Sequence, residues 1–197
     1  MSLRYALLAL LRVGPLSGYD LAKQFTQSVG HVWHAPDSQI YPELRKMEGE
    51  GLVEAEEQAR GERGRRRMYH VTPTGDQAFL DWMASPLEYQ RTRDPAHLRA
   101  AYLETTTPDA AREFFEGHIR QWQGELVQWE GELTHIEMLS NPMLTRRLEA
   151  TTDEDVRKRT IAYKRFAYEG LVEHALGEIA WAERGLALVD QLDADAT

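Results

Sequence analysis

The stretch Ser38-Gln39-Ile40-Tyr41-Pro42-Glu43-Leu44-Arg45-Lys46-Met47 decides how the first half of this chain is read. Its apolar members Ile40, Leu44 and Met47 recur at i, i+4 and i+7, which is one face of a helix. The other face carries Ser38, Gln39, Tyr41, Arg45 and Lys46, all hydrogen-bond donors and two of them cationic. A short helix with a narrow apolar back and a polar, partly basic front suits a recognition helix in a DNA groove. Most amphipathic helices have a polar face only because it meets water, so the flanking segments carry the decision. Pro42 confines the start, because an interior proline loses a backbone bond and clashes with the preceding turn. The helix is therefore expected to begin close to Ser38 or Gln39, with Pro42 near the end of its first turn.

Upstream, Leu3, Leu7, Leu8, Leu10 and Leu11 make an apolar helix that Gly14-Pro15 ends. Ser17 caps a second helix, with Asp20 three residues on, Leu21, Phe25 and Val29 as its buried stripe and Gly30 as its end. Residues 31–36 cross to the third helix, which Gly49 to Gly51 closes. Extended runs over 52–56 and 66–71 then read as two strands joined by a Gly- and Arg-rich tip around Gly61-Glu62-Arg63-Gly64. Thr72-Pro73-Thr74-Gly75 opens a fourth helix with Phe79, Trp82 and Met83 on its apolar face. Three helices, a hairpin with a basic tip and one more helix make a winged helix-turn-helix.

The net charge of −9 argues at first against nucleic acid, but its distribution matters more than its sum. Residues 1–85 are nearly neutral at −1, and residues 86–197 hold the remaining −8. Arg60, Arg63, Arg65, Arg66 and Arg67 fall within eight residues, a local basic patch on a near-neutral domain. Basic loops are usually solvated surface; one that follows a recognition-type helix is expected to touch DNA. Arg63, Arg65, Arg66 and Arg67 would supply affinity and salt dependence through phosphates. Ser38, Gln39, Tyr41 and Lys46 would read bases or fix register, and Gln39 on an adenine edge is chemically sensible. Arg45 either joins them or packs its stem along the domain.

These residues resemble the PadR family of bacterial transcriptional regulators over about the first 85 positions. The resemblance rests on Gly18-Tyr19-Asp20-Leu21 in the second helix and Ile40-Tyr41-Pro42-Glu43-Leu44 in the third. It continues with Glu50-Gly51-Leu52-Val53, Gly64-Arg65-Arg66-Arg67 with Tyr69, then Thr72, Gly75 and Trp82. Departures are small: Pro73-Thr74 precedes Gly75, and Met47 stands where leucine is more usual. The resemblance implies a dimer whose third helix enters the major groove while the wing reaches the backbone or minor groove.

In the second half, residues 95–104 read as a short helix with Leu98, Ala101 and Tyr102 inward. Thr107-Pro108-Asp109 starts a long one. There Phe115, Ile119, Trp122, Leu126, Trp129, Leu133 and Ile136 form a heptad seam. Ser140-Asn141-Pro142 stops it, and after Met143, Leu144 and Leu148 a final helix from about Asp153 to Leu192 repeats the spacing. Its seam is Tyr168, Val172, Ala175, Ile179, Ala182, Leu186 and Val189. At 1.5 Å per residue that helix is roughly 60 Å long, and it is expected to pack on a second copy of the chain. Phe115, Ile119, Trp122, Leu126, Tyr168, Val172, Ile179 and Leu186 are the expected dimer contacts. Gly117, Gly124 and Gly131 lie seven apart on the opposite face, and Gly170 and Gly177 match them in the last helix. They are either tolerated surface or a line of close approach or ligand groove.

More weakly, this half resembles the helical region of PadR members that respond to phenolic acids. Such members bind a small aromatic effector near the junction of the halves. Trp33, Trp82, Tyr102, Trp122 and Trp129 are candidates to line such a site, with Arg93 as one candidate partner for a carboxylate. Large aromatics at helical spacing are more often core.

The expected fold is mainly α: a DNA-binding winged helix-turn-helix with a two-stranded wing over 1–85, a connector with a short helix over 86–107, and a long-helix dimerisation and effector domain over 108–197. The chain lacks cysteine, hence any disulfide or thiolate site. Its seven histidines show no metal-ligand spacing, and no phosphate loop or nucleophile motif occurs, so neither an enzyme nor a cofactor is expected. The apolar run 5–11 is too short to span a bilayer, which points to a soluble, cytoplasmic protein. The expected partners are operator DNA, a second copy and a small aromatic effector, with no membrane. The rival readings are a winged-helix protein-interaction module and an effector-independent regulator.

Overall fold

The computed structural model describes residues 2–26, 36–60, 64–89 and 93–195. The chain divides into two units, Met1–Glu88 and Tyr89–Thr197. The first holds helices α1 (Ser2–Leu11), α2 (Gly18–Gln24), α3 (Asp37–Gly49) and α4 (Pro73–Ala84), and strands β1 (Leu16–Ser17), β2 (Val53–Arg60) and β3 (Gly64–Val71). Leu7, Leu8, Leu11, Leu21, Phe25, Ile40, Leu44 and Met47 are fully buried at its centre. The apolar stripe of each helix therefore meets the others, and burial of that stripe is what holds short helices. Ser17 caps α2, its Oγ accepting the Asp20 N–H at 3.1 Å. Val29 and Gly30, expected to finish α2, lie outside the described residues.

α3 starts at Asp37, slightly earlier than anticipated, which makes Pro42 its sixth residue. The missing N–H leaves the Ser38 carbonyl without its helical donor, and it is a first-turn carbonyl that loses it. The Gln39 N–H closes that turn on the Pro36 carbonyl at 2.8 Å.

The sheet has the order β1-β3-β2, all antiparallel. β2 and β3 form the expected hairpin, but β1 was not anticipated: Leu16 and Ser17 pair with Tyr69 and Met68. Two residues are too few to show a strand period. β3 also begins at Gly64 and pairs residue by residue down to Val71 opposite Val53. Arg66 and Arg67 lie on the strand as expected, Arg65 joins them instead of sitting in the tip, and successive side chains take opposite faces.

The root of the hairpin is tied to the end of α3. Gly51 takes φ +71°, where a side chain would be strained. The Leu52 N–H donates to the Met47 carbonyl at 2.9 Å, and the Leu52 carbonyl accepts the Thr72 N–H at 3.1 Å. The Thr72 hydroxyl donates to the Gly51 carbonyl at 2.6 Å and accepts the Gly75 N–H at 3.0 Å. Gly75 lies so close that a Cβ there would sit 2.0 Å from the Leu52 oxygen. On α4, Phe79 is half-buried under Arg12, whose guanidinium carbon stands 4.7 Å from the ring centroid. Trp82 stacks on Tyr5 at 4.7 Å. Met83, expected on the apolar face, is exposed, since the turn that carries Trp82 toward Tyr5 carries its neighbour outward.

The second unit holds α5 (Pro95–Ala100), a 3-10 turn over Leu103–Thr105, α6 (Pro108–Glu137), α7 (Pro142–Glu149) and α8 (Glu154–Asp195). The expectation that Leu98, Ala101 and Tyr102 point inward fails: all three are exposed within this chain. The helix is only six residues long, and its packed side chain is His97, stacked on Trp181 at 4.1 Å. α6 and α8 run antiparallel. Arg112 near the start of α6 holds Asp190 at 3.0 Å and Asp193 at 2.7 Å near the end of α8. At the other end Trp129, Ile136, Leu144, Leu148, Tyr168 and Ala175 share one core.

The heptad seam is consequently filled by the same chain. Phe115 and Tyr168 are only 5% and 3% exposed, so neither offers a face to a second copy. Gly185 lets the Phe115 ring in; a Cβ there would lie 2.3 Å from it. Gly124, Gly131, Gly170 and Gly177 have open space where a Cβ would stand.

Asn141, 2% exposed, caps α7 through the Leu144 N–H at 2.9 Å and donates to Glu132 at 2.9 Å. Lys164 donates to the same Asn141 oxygen at 3.3 Å. Burial lowers the Lys164 ammonium to about 8, with Arg147 adding to the effect and Glu132 opposing it. Burial raises the neighbouring Tyr168 phenol above its ordinary value.

Gly75→Ala should cost about 3 kcal/mol through overlap with a backbone oxygen, whereas Gly124→Ala should gain about 0.5–1 kcal/mol of helix stability. Thermal melts would therefore move in opposite directions, and a lowered midpoint for Gly124→Ala would mean that another helix lies against that position. Lys164 is a base with a depressed folded-state pKa, so its desolvation cost is complete below about 8 and is relieved as pH rises toward the unfolded value. Urea titrations should show stability rising between about pH 8 and 10, by up to about 3 kcal/mol. Lys164→Met should abolish that rise.

Candidate nucleic-acid interface

On α3 the buried line of Ile40, Leu44 and Met47 turns the opposite side outward. Ser38, Gln39, Arg45 and Lys46 are all exposed. With about 100° between successive residues, Ser38, Pro42 and Arg45 stand opposite the buried line and Gln39, Tyr41 and Lys46 flank them. Tyr41 is 38% exposed because its ring lies against Gly18, where a Cβ would come within 2.9 Å of it. The choice left open for Arg45 resolves toward the outward face: it makes no ion pair among the described residues.

Three acids on α3 and just after it, Glu43, Glu48 and Glu50, are each bound by an arginine. Arg4 holds Glu43 at 2.9 Å and Glu50 at 2.8 Å, and these partners, Glu50 foremost, favour its charged form. Glu48 is held by Arg67 at 2.6 Å. Lys46 has only the loose 4.0 Å approach of Glu50. The outward face thus keeps its donors while its carboxylates are neutralised from the sides.

Alternation on β3 separates the arginines. Arg65 and Arg67 share the face of the buried Tyr69, and Arg66 shares the opposite face with Met68. Arg67 reaches Glu48 on α3 and lies with its guanidinium carbon 5.7 Å from the Tyr69 ring centroid. Arg65 pairs with Glu57 of β2 at 2.8 Å. Arg66 gives two N–H bonds, of 3.1 and 2.8 Å, to the Gln58 side-chain oxygen. A guanidinium has five donors, so each keeps several for an outside acceptor. Arg63 lies outside the described residues. Sequence reasoning singled out the arginines and missed Glu48, Glu57 and Gln58; the signal was the acidic cluster Glu54, Glu56 and Glu57 in the strand facing the run Arg65-Arg66-Arg67.

Of the aromatic candidates, Trp33 lies outside the described residues. Trp82 belongs to the first unit, against Tyr5. Tyr102 and Arg93 are exposed and form no ring contact or ion pair among the described residues. Trp122 and Trp129 come together on α6, ring centroids 6.3 Å apart. Trp122 also meets His174 edge-on at 4.9 Å, and Trp181 meets His118 at 5.1 Å and Phe115 at 5.6 Å. His118 and Glu178 share a hydrogen bond of 3.0 Å. The Trp129 indole N–H is buried with no acceptor among the described residues. His118, His174, Glu178 and Trp181 were not foreseen, although they repeat the 3–4 spacing of the seams.

Residues 7–81 match the family model described as the transcriptional regulator PadR-like family. The negative transcriptional regulator PadR of Bacillus subtilis (strain 168) is 28% identical over 190 residues, which is 96% of this chain and 98% of that protein. A crystal structure of Bacillus subtilis PadR in complex with operator DNA is similar with a TM-score of 0.74 and 27% identity, over 96% of this chain and 99% of that one. Its complex with p-coumaric acid gives 0.70 and 28%, over 95% of each. The helix with the polar front and the arginine-bearing hairpin both fall within the residues that match the PadR-like family of transcriptional regulators, and the chain as a whole is similar to PadR of Bacillus subtilis.

Proposed function

We propose that this chain acts as a homodimeric repressor that binds double-stranded operator DNA and is released by a small aromatic acid. The observation that carries the reading is the placement, on one unit, of α3 with its outward donors and a hairpin whose central strand carries Arg65, Arg66 and Arg67. Residues 1–85 serve as the DNA-binding domain, 86–107 as connector and 108–197 as dimerisation and effector domain. Ser38, Gln39, Tyr41, Arg45 and Lys46 contact the major groove, and Arg63, Arg65, Arg66 and Arg67 contact phosphates or the minor groove. A two-fold dimer places its α3 helices in successive major grooves about 34 Å apart, on a pseudo-palindromic site.

Support for a dimer comes from the apolar surface that the second unit leaves open. α8 alone exposes Tyr163, Phe166, Leu176, Leu188 and Leu192. The half-buried Ile119, Trp122, Leu126, Val172, Ile179 and Leu186 contribute what their packing within the chain leaves free. For the effector, Trp122 and Trp129 are the foreseen residues that stand together, and the unpaired Trp129 N–H suits an acid or phenol oxygen. Trp33, Trp82, Tyr102 and Arg93 remain candidates from sequence alone. The effector acts by binding the DNA-free geometry better, and shifts the population only by that difference in affinity.

Gel-shift titration on the DNA upstream of the chain's own gene should show retardation that weakens steeply with salt. Arg66→Gln should weaken binding to every sequence and flatten the salt slope by about 0.9. Gln39→Ala should cost about 1–3 kcal/mol on the preferred site and relax the preference at one position. p-Coumaric acid or a related aromatic acid should release the DNA. Binding to no duplex at all would overturn the proposal in favour of a protein-interaction module; binding indifferent to every acid would leave an effector-independent regulator.

A further inference from the structure

The arginines described on the wing are all engaged within the chain, and two of their partners are carboxylates drawn from different elements. Glu57 of β2 holds Arg65 at 2.8 Å and Glu48 of α3 holds Arg67 at 2.6 Å, whereas Arg66 has the neutral Gln58. A carboxylate offers a guanidinium the same charged, two-oxygen acceptor that a phosphate offers. We infer that Glu48 and Glu57 are built-in competitors for the phosphate-binding arginines, and that they set how strongly the protein holds DNA of indifferent sequence. The inference rests on the DNA-binding reading above.

The Arg65–Glu57 pair is open to water, with side chains 80% and 59% exposed. Such a pair stabilises the fold little, by a factor of roughly 1.4–5 in an equilibrium constant. Against a specific complex built from many base and backbone contacts, that factor is small. On indifferent DNA, phosphate contacts supply essentially all of the binding, and there a factor of a few per arginine counts. A regulator faces some 10⁶–10⁹ indifferent sites in a genome, so weakening each wing contact favours the operator. The swap also changes the ion count. When Arg65 leaves Glu57 for a phosphate, a DNA counterion is released, but the freed carboxylate attracts a cation of its own. The salt slope of the intact protein is then shallower than its number of phosphate contacts implies.

The test measures fluorescence anisotropy of a labelled random-sequence duplex and of the segment upstream of the gene, with the full-length protein at several salt concentrations. Glu57→Gln should tighten random-duplex binding roughly two- to fivefold, steepen the salt slope by up to about 0.9, and tighten the upstream segment less. The same substitution in an Arg65→Gln background should give no gain, because the acid acts through that arginine. Glu48→Gln should behave alike with Arg67→Gln. Glu54→Gln removes an equal charge from the same strand at a side chain with no arginine partner among the described residues, and it should change little. No gain from Glu57→Gln, a gain that persists without Arg65, or an equal gain from Glu54→Gln would overturn the inference while leaving DNA binding intact. Failure of the unaltered protein to bind either duplex would instead remove the reading beneath it. The substituted side chains are exposed save Glu48, which is half-buried, and matching thermal midpoints would show that the variants fold alike.

Discussion

The geometry of the first unit depends on one knot of backbone, where the turn after α3 meets the turn before α4. Leu52 bonds back to Met47 and across to Thr72, Thr72 bonds Gly51 through its hydroxyl, and Gly75 lies on the Leu52 oxygen. A helix and a hairpin are each simple to make; a fixed angle between them is not. Here that angle is set by hydrogen bonds and a contact that admits no side chain, instead of by a few flexible side-chain pairs. The Arg67–Glu48 bridge crosses the same angle farther out, yet an ion pair of this exposure would yield easily to a phosphate. The rigid element and the adjustable one are thus separated along the same hairpin.

In the second unit the equivalent constraint is Gly185. Its missing Cβ lets the Phe115 ring enter α8, and from there the two seams close on each other within the chain. A 4-3 spacing states that a helix has a partner along one side and is silent about which chain supplies it. An antiparallel pair joined by a short helix satisfies the spacing intramolecularly, which is why Phe115 and Tyr168 turned inward when they were expected at a dimer contact. The apolar side chains that remain for other molecules fall largely off the seams: Val127 on α6, and Tyr163, Phe166 and Leu188 on α8.

Much of the fold was legible because local chemistry and tertiary packing agree there. Caps at Ser17, Thr72 and Thr107 each accept the backbone N–H expected of them, and Asn141, read only as a stop, caps α7 in the same way. The apolar members of α3 are buried as their period requires. What escaped was decided by pairing over distance. β1 is two residues long and exists because β3 offers it an edge. The strand reached back over Arg65 because β2, just as long, pairs with β3 as far as Arg60. The partners Glu48 and Glu57 were invisible since a sequence shows charges and not which of them meet. The histidines at 118 and 174 gave no motif, yet from opposite helices both meet Trp122. Residues 27–35 and 61–63 lie outside the described structure, and with them Trp33 and Arg63.

The strand order has one more consequence. With β3 in the middle and β1 only two residues long, β2 is the long open edge of the sheet. An open edge is a template for further strands, and two copies of the chain crowded side by side would bring such edges close together. β2 presents Glu54, Glu56 and Glu57 there, all exposed. Two such edges approaching each other would set carboxylate against carboxylate before any backbone bond could form. The same acids that stand beside the arginines thereby keep the hairpin from growing into a larger sheet, and the protein from aggregating through it.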